Sequence, residues 1–358
     1  MSVTKVAKLA KVSTATVSRV MNGHPSVDPK NVQRVKAAMK SLGYTPRAIR
    51  PGRVPQAQAK RQGSQTGVLG IVLMGRSQTI FENPYMARLL SVMTQTAKEE
   101  HRNLMIIEMP VPQELPRVLR EKQVDGLILT GRPNFMDWVR SLGSIPSVVF
   151  GGLPMPGSTV DIVTNDSVTI GRMAAAYLLG KGCRRPAFVN HDAAHTMLRQ
   201  RGEAFTEFVT SQGMPAARLE STVPESLDED TAWSTDHMRR ELGALIDRML
   251  AAKQRPDGLF MGTDHQTMFV HSLLREKGVE PERDIRLVSC GNNEPWLAAM
   301  SPRPATIDIG ALQEGRETVR RLIARIAHPY EDPVTILTTP KLIEGTVPAE
   351  TKKGPGRQ

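Results

Sequence analysis

The sequence predicts two fold classes in one chain: an all-α helix-turn-helix headpiece, then a larger α/β body of two lobes. Three observations carry this. Thirteen basic residues and one acidic residue fall in residues 1–66, which therefore hold a charge of about +12, while the other 292 residues come to about −1. Two short amphipathic helical patterns separated by a tight turn fill residues 3–22. From residue 67 onward, short apolar runs alternate with helical stretches, the pattern of parallel sheets wrapped by helices. A basic head on a near-neutral body points to a polyanionic partner held at one end of the molecule.

In the head, Val3, Val6, Ala7 and Ala10 recur at helical spacing. Ser13 precedes a second run through Val17, Val20 and Met21, and its hydroxyl suits an N-cap. Ala7 and Ala10 are small enough for the two helices to cross closely, with Val12 plugging the corner. A third helix is expected from Asp28, an N-cap with Pro29 in the first turn, to Leu42. Its Val32, Val35, Met39 and Leu42 would cover the first two. On a 3.6-residue period Thr14, Ala15, Ser18 and Arg19 share the face opposite Val17, Val20 and Met21. Arg19 suits guanine O6 and N7, while Ser13, Thr16, Ser18 and Asn22 are short donors for phosphate oxygens. The headpiece is assigned residues 1–45.

Residues 46–66 turn to Pro, Gly, Gln, Ala and Arg without apolar periodicity, the composition of an exposed basic linker. The body is assigned residues 67–344. Strands are expected at Gly67–Met74, Leu104–Met109, Val124–Thr130, Ser147–Phe150, Ala187–Asn190, Gly258–Gly262 and Ile285–Cys290. Helices are expected near 84–101, 113–121, 133–142, 167–181, 196–212, 234–253, 264–277 and 310–327. This length supports two lobes with separate cores. Val160–Thr164, Cys290–Asn293 and the region near His328 are the expected crossings between them. Residues 345–358 read as a disordered basic tail.

The run Val12-Ser13-Thr14-Ala15-Thr16-Val17-Ser18-Arg19-Val20-Met21-Asn22-Gly23, followed by Ala37-Ala38-Met39 and Leu42-Gly43-Tyr44-Thr45-Pro46, resembles the headpiece of LacI/GalR-family transcriptional regulators. Weaker landmarks follow in order: Asn83-Pro84-Tyr85, Asp125 to Ile128, Asn165-Asp166, Arg201 through Phe205, Thr263-Asp264 and Gly291-Asn292-Asn293. The resemblance implies base contacts from Thr14, Ala15 and Arg19, and backbone contacts from Ser13, Thr16, Ser18 and Asn22. It also implies a periplasmic-binding-protein-like body that binds a small-molecule effector, a sugar or sugar derivative, between its lobes. The family's linker begins with a hinge helix carrying a leucine for the minor groove. Here Pro51 and Gly52 break that helix, and Arg53 stands at the leucine's place. Either the linker is a basic arm with Arg50 and Arg53 on the DNA backbone, or Ile49 or Val54 replaces the wedge. The arm is the favoured reading.

Ligands in such bodies sit where strand C-termini meet the crossings. By resemblance, Arg201 reaches into the cleft; a surface arginine paired with Glu203 is the alternative. Asn293 replaces a frequent aspartate and Thr263 a frequent asparagine, whereas Asp264 matches. Tyr85, Met86 and Trp296 supply either a stacking wall or ordinary packing. His191, with Asp192 and His195 nearby, fits polar cleft lining better than a metal, because the spacing is no standard signature. No cofactor is expected.

Two cysteines without a CxxC fit a reducing compartment. The basic N-terminus lacks an apolar h-region, no run is long enough to span a membrane, and no phosphate-binding loop or GxSxG motif occurs. The expectation is a cytoplasmic, nucleoid-associated regulator without enzymatic activity, repressing rather than activating. One recognition helix reads few base pairs, so a homodimer on a pseudo-palindromic operator in double-stranded DNA is expected. Tyr85, Leu89, Leu90 and Met93 are candidate dimer surface. The alternative is a constitutive DNA-binding protein whose cleft no longer takes an effector.

Overall fold

The computed structural model describes residues 3–21, 27–42, 66–75, 78–109, 116–131, 142, 145–153, 160–222 and 229–346. Asn22, Arg50, Arg53, most of the expected helix 133–142, and the tail beyond residue 346 lie outside them, as does the side chain of Ser18.

The head is a three-helix unit of α1 (Val3–Ala10), α2 (Thr14–Met21) and α3 (Pro29–Ser41). Val6, Ala7, Ala10, Val17, Val35 and Ala38 form its core, flanked by Val12, Val20, Met39 and Leu42. Lys11 turns the chain with φ 51°, and the Val12 amide donates to the Ala7 carbonyl at 3.1 Å. Ser13 Oγ caps α2 by accepting from the Thr16 amide at 3.1 Å. Asp28 caps α3 by accepting from the Lys30 amide at 2.7 Å, with Pro29 in the first turn.

In the body, β1 (Val68–Met74), α4 (Pro84–Glu99), β2 (Asn103–Met109), α5 (Arg117–Arg120), β3 (Gly126–Gly131), β4 (Ser147–Phe150) and β5 (Asp161–Asn165) build the first lobe. The second lobe holds α6 (Ser167–Gly180), β6 (Pro186–Asn190), α7 (Thr196–Ser211), β7 (Ala217–Glu220), α8 (Glu229–Ala232), α9 (Thr235–Ala251), β8 (Gly258–Met261), α10 (Asp264–Glu276), β9 (Arg286–Cys290), α11 (Glu294–Leu297) and β10 (Ala305–Asp308). The chain then returns to the first lobe with α12 (Ala311–Ala327) and β11 (Thr335–Thr338), and ends in the second with β12 (Lys341–Ile343). The sheet orders are β11-β5-β4-β3-β1-β2, all parallel, and β12-β10-β9-β8-β6-β7, with only β12 antiparallel.

Apolar strands bury both faces of each sheet, as parallel sheets require. In the first lobe Ile71, Leu73, Ile128 and Val163 meet α4 and α12 through Leu89, Met93, Val319 and Leu322, while Val72, Leu127 and Ile162 face the other way. In the second, Phe188, Phe260 and Val288 meet Ile170, Leu178 and Phe205, while Val189, Leu259 and Leu287 meet Leu242, Ile246 and Val270.

The structure moves the crossings. Val160–Thr164 is not a connector, because Asp161–Asn165 is a buried central strand. Cys290–Asn293 and the region of His328 each join elements of a single lobe. The lobes are instead joined after Asn165, after Asp308 and after Thr338. Residues 345–346 also depart from the expected tail: the Thr346 amide donates to the Arg303 carbonyl at 2.9 Å, and Arg303 returns a bond to Thr346 Oγ1 at 2.8 Å. Of the candidate dimer residues, Leu89 and Met93 belong to the first-lobe core, leaving Tyr85 and Leu90 half-buried. No helix among the described residues is long and apolar enough to cross a membrane.

Candidate nucleic-acid interface and lobe-junction site

Burial of Val17 turns the opposite face of α2 outward. Thr14, Ala15 and Arg19 are exposed there, presenting one guanidinium, one hydroxyl and one methyl along a single helical stripe. Ser13 and Thr16 sit at the helix N-terminus, their hydroxyls 2.9 Å apart. The N-terminal turn thus combines short polar groups with the positive end of the helix dipole, which suits a phosphate oxygen.

In the body, α6 and α7 cross so closely that a Cβ on Gly171 would lie 2.3 Å from the Arg201 carbonyl. Next to Arg201 on α7, Gly202 leaves no room for a side chain either, since its Cβ would lie 2.4 Å from the Phe188 ring. This packing fixes Arg201, which is 5% exposed. Its Nη2 donates to Asn165 Oδ1 at 2.8 Å and its Nη1 to the Gly262 carbonyl at 2.5 Å, while Nε has no partner. Arg201 thereby joins the C-terminal end of a first-lobe strand to the C-terminal end of a second-lobe strand. The surface pairing with Glu203 does not form; Glu203 faces Arg199 at 3.9 Å. Glu314, in the first turn of α12, is fully buried beside this set.

Asp264 is interior. Only 1% exposed, its carboxylate accepts from Ser289 Oγ, from Thr306 Oγ1 at 2.8 Å and from the Asn293 amide at 2.6 Å. Burial pushes its carboxyl above the usual range, opposed by those three bonds. These bonds tie it to the 290–293 loop. Asn293 is buried on that loop.

His191 is likewise interior. It is completely buried, Gln266 Nε2 lies 2.6 Å from its Nδ1, and Trp233 packs edge-on at 4.8 Å. Burial pushes its pKa down to about 3, so the ring is neutral and held by packing. Asp192 is occupied by the Ala194 and His195 amides, which accounts for the His-Asp-x-x-x-His spacing as a loop and helix cap. Trp296 stacks on His265 at 4.5 Å with the planes 3° apart, and burial lowers His265 to about 4. Tyr85 packs against the cores of both lobes, as does Ala311.

The structure thus brings Arg201, Asn165, Gly262 and Glu314 together at the junction. Asp264 with Asn293, and Trp296 with His265, occupy the ends of neighbouring second-lobe strands. Asn165 and Glu314 were not read as site residues. The available signal for Glu314 was an acid on the apolar stripe of a helix, four residues before Thr318 and eight before Leu322.

A small helical head bearing an exposed recognition-helix face, in one chain with a two-lobed α/β body, defines a DNA-binding regulator with a ligand-binding domain. The family descriptions that match are "Bacterial regulatory proteins, lacI family" over residues 2–47 and "Periplasmic binding protein-like domain" over residues 175–346. The chain is 30% identical over 332 residues to the HTH-type transcriptional regulator MalR of Streptococcus pneumoniae, covering 89% of this chain and 91% of that protein. It therefore belongs to the lacI family of bacterial regulatory proteins. The fold is similar to that of the transcriptional regulator CelR in its cellobiose complex (TM-score 0.66, 22% identity, 96% of this chain and 99% of that one). It is also similar to the lac repressor dimer bound to operator and the anti-inducer ONPF (TM-score 0.65, 18% identity, 96% and 98%).

Proposed function

We propose that this protein is a repressor that binds a pseudo-palindromic operator as a homodimer and changes its DNA affinity when a sugar or sugar derivative binds between the lobes. Thr14, Ala15 and Arg19 read bases; Ser13, Thr16, Ser18 and Asn22 grip the backbone, and Arg50 and Arg53 extend that grip through the linker. The reading is carried by Arg201, a buried guanidinium bonded across the lobe junction with its Nε–H unspent. A ligand that takes this guanidinium necessarily alters the junction, and with it the spacing of two heads in a dimer. Tyr85, Asn293 and Trp296 complete the cleft. The cellobiose found in one structural relative supports the effector class over a constitutive DNA-binding protein.

Selection of bound sequences from a random duplex pool at one stated salt concentration tests the DNA half. An enriched inverted repeat is expected. The recovered operator then serves to screen neutral sugars and their derivatives for an effect on affinity. Arg201→Ala is expected to keep operator binding and lose the response. Tight, salt-sensitive binding without enrichment would overturn specific recognition, and a response that survives Arg201→Ala would overturn this placement of the effector.

A further inference from the structure

Glu314 follows the crossing from β10 by a few residues, just as Asn165 immediately precedes the crossing from β5. Its carboxyl is completely buried, and neither oxygen has a hydrogen bond of normal geometry. The elements around it offer little to hold an anion. From α7, Arg201 is the one charged group acting on it among the described residues, yet both terminal nitrogens of Arg201 are committed elsewhere. From β5, Asn165 offers its amide, while its oxygen serves Arg201 and accepts from Ser167 Oγ at 3.3 Å. Beside Gly315, α4 presents Leu89, Val92 and Met93, and the Tyr85 phenol of α4 belongs to the same junction. A carboxyl so placed persists as a neutral acid, because an unpaired buried carboxylate costs several kcal/mol. Burial pushes it up to about 8, against the charge of Arg201 and the amide of Asn165.

We propose that Glu314 is a proton-linked latch on the effector cleft: as a neutral acid it keeps α12 seated against the Asn165–Arg201 pair, and on losing its proton to water it favours the lobes apart. The use of this latch in regulation rests on the reading of an effector cleft between the lobes; the latch itself does not. With the lobes together the group binds its proton up to about pH 8, and exposed it releases it near its ordinary 4.5. Between those values the closed form carries the extra proton, so closure is favoured at low pH. Each unit of rise in that window shifts the ratio toward the open form by as much as about tenfold. Above it both forms are ionised and the ratio levels off. An effector that closes the lobes then takes up a proton as it binds.

Spin labels on cysteines introduced at Lys98 and Lys253, exposed positions in different lobes, report lobe separation in the full chain. Native Cys183 and Cys290 are buried. Without effector, the distance distribution is expected to lengthen from pH 6 to pH 9. It should stay at its pH 6 value throughout with Glu314→Gln or, should that variant fold poorly, Glu314→Leu. The same lengthening with and without Glu314, or none in the parent chain, overturns the latch. Because no effector is present, that result leaves the effector reading to its own screen.

Discussion

The Thr338 hydroxyl donates to the Ile309 carbonyl at 2.8 Å, and the Thr338 carbonyl accepts from the Asp166 amide at 3.4 Å. One residue at the end of β11 thus fastens the other two lobe crossings to the third. Gly310 completes the arrangement: its φ of 74° lies in the left-handed region, and a Cβ there would stand 3.2 Å from that of Thr338. Thr338→Val keeps the shape and removes the donor, leaving the Ile309 carbonyl unpaired at a buried site. Stability is expected to fall by about 1–3 kcal/mol, measured as a lower urea midpoint at unchanged slope. An unchanged midpoint would show that water replaces the bond.

Arg19 stands exposed on α2 with no ion pair among the described residues. Arg19→Ala is expected to weaken operator binding by about 1–3 kcal/mol and to relax preference at one base pair per half-site. Arg50→Ala with Arg53→Ala should instead weaken binding to all sequences alike and lower the salt slope by about two charges' worth. Titrations at several salt concentrations separate the two. Loss confined to one operator in the linker variant would favour a wedge at Ile49 or Val54.

Gly202→Ala would drive a methyl into the Phe188 ring, at the centre of the Phe188–Phe205–Phe260 cluster. Overpacking of this kind costs about 1–3 kcal/mol. It also displaces the neighbouring Arg201, so the effector response should weaken more than operator binding does. Thermal melts and the effector screen read the two effects independently.

Asp161 is fully buried under Arg321 and Arg325. Burial opposes its ionisation, but bonds from Arg325 and Arg321 and from the Val334 amide prevail and hold the carboxyl below its ordinary 3.8. Its stabilisation is therefore complete above that value and is lost as pH falls through the lower, folded one. Asp161→Asn leaves two arginines without their counterion and should cost about 3–5 kcal/mol at neutral pH. The variant's stability should also vary less with pH below 4. A neutral-pH melt close to that of the parent chain would mean that the arginines re-pair with Glu331 or water.

Long periodic elements were legible in the sequence. Asp28-Pro29 and Asn83-Pro84 mark helix starts because a side-chain acceptor followed by a proline fixes the first turn. The apolar strands β1 and β2 on either side of α4 declared themselves by composition. What escaped were short strands whose neighbours decide their state. Asp161–Asn165 carries three polar residues in five, and its Asp161 is satisfied by two arginines and the Val334 amide, all 160 or more positions away. β11 and β12 are edge strands with exposed faces, so no apolar run announced them. Misplacing those three moved every crossing. The site suffered similarly: Arg201 was legible as a candidate, but whether Asp264 and His191 face a ligand or the interior depends on Ser289, Thr306 and Gln266, which periodicity cannot bring together.

The weave of the chain through both lobes has a consequence for its synthesis. The first lobe's sheet lacks its outer strand, and the covering helix α12, until the ribosome has passed Thr338; the second awaits Ile343. The three-helix head is made before either lobe is complete, so a nascent chain carries a basic unit ahead of a body whose halves both close only within residues 311–343. Stalled or truncated translation products would present that cationic unit on an unfinished body whose lobe crossings are not yet fastened at Thr338.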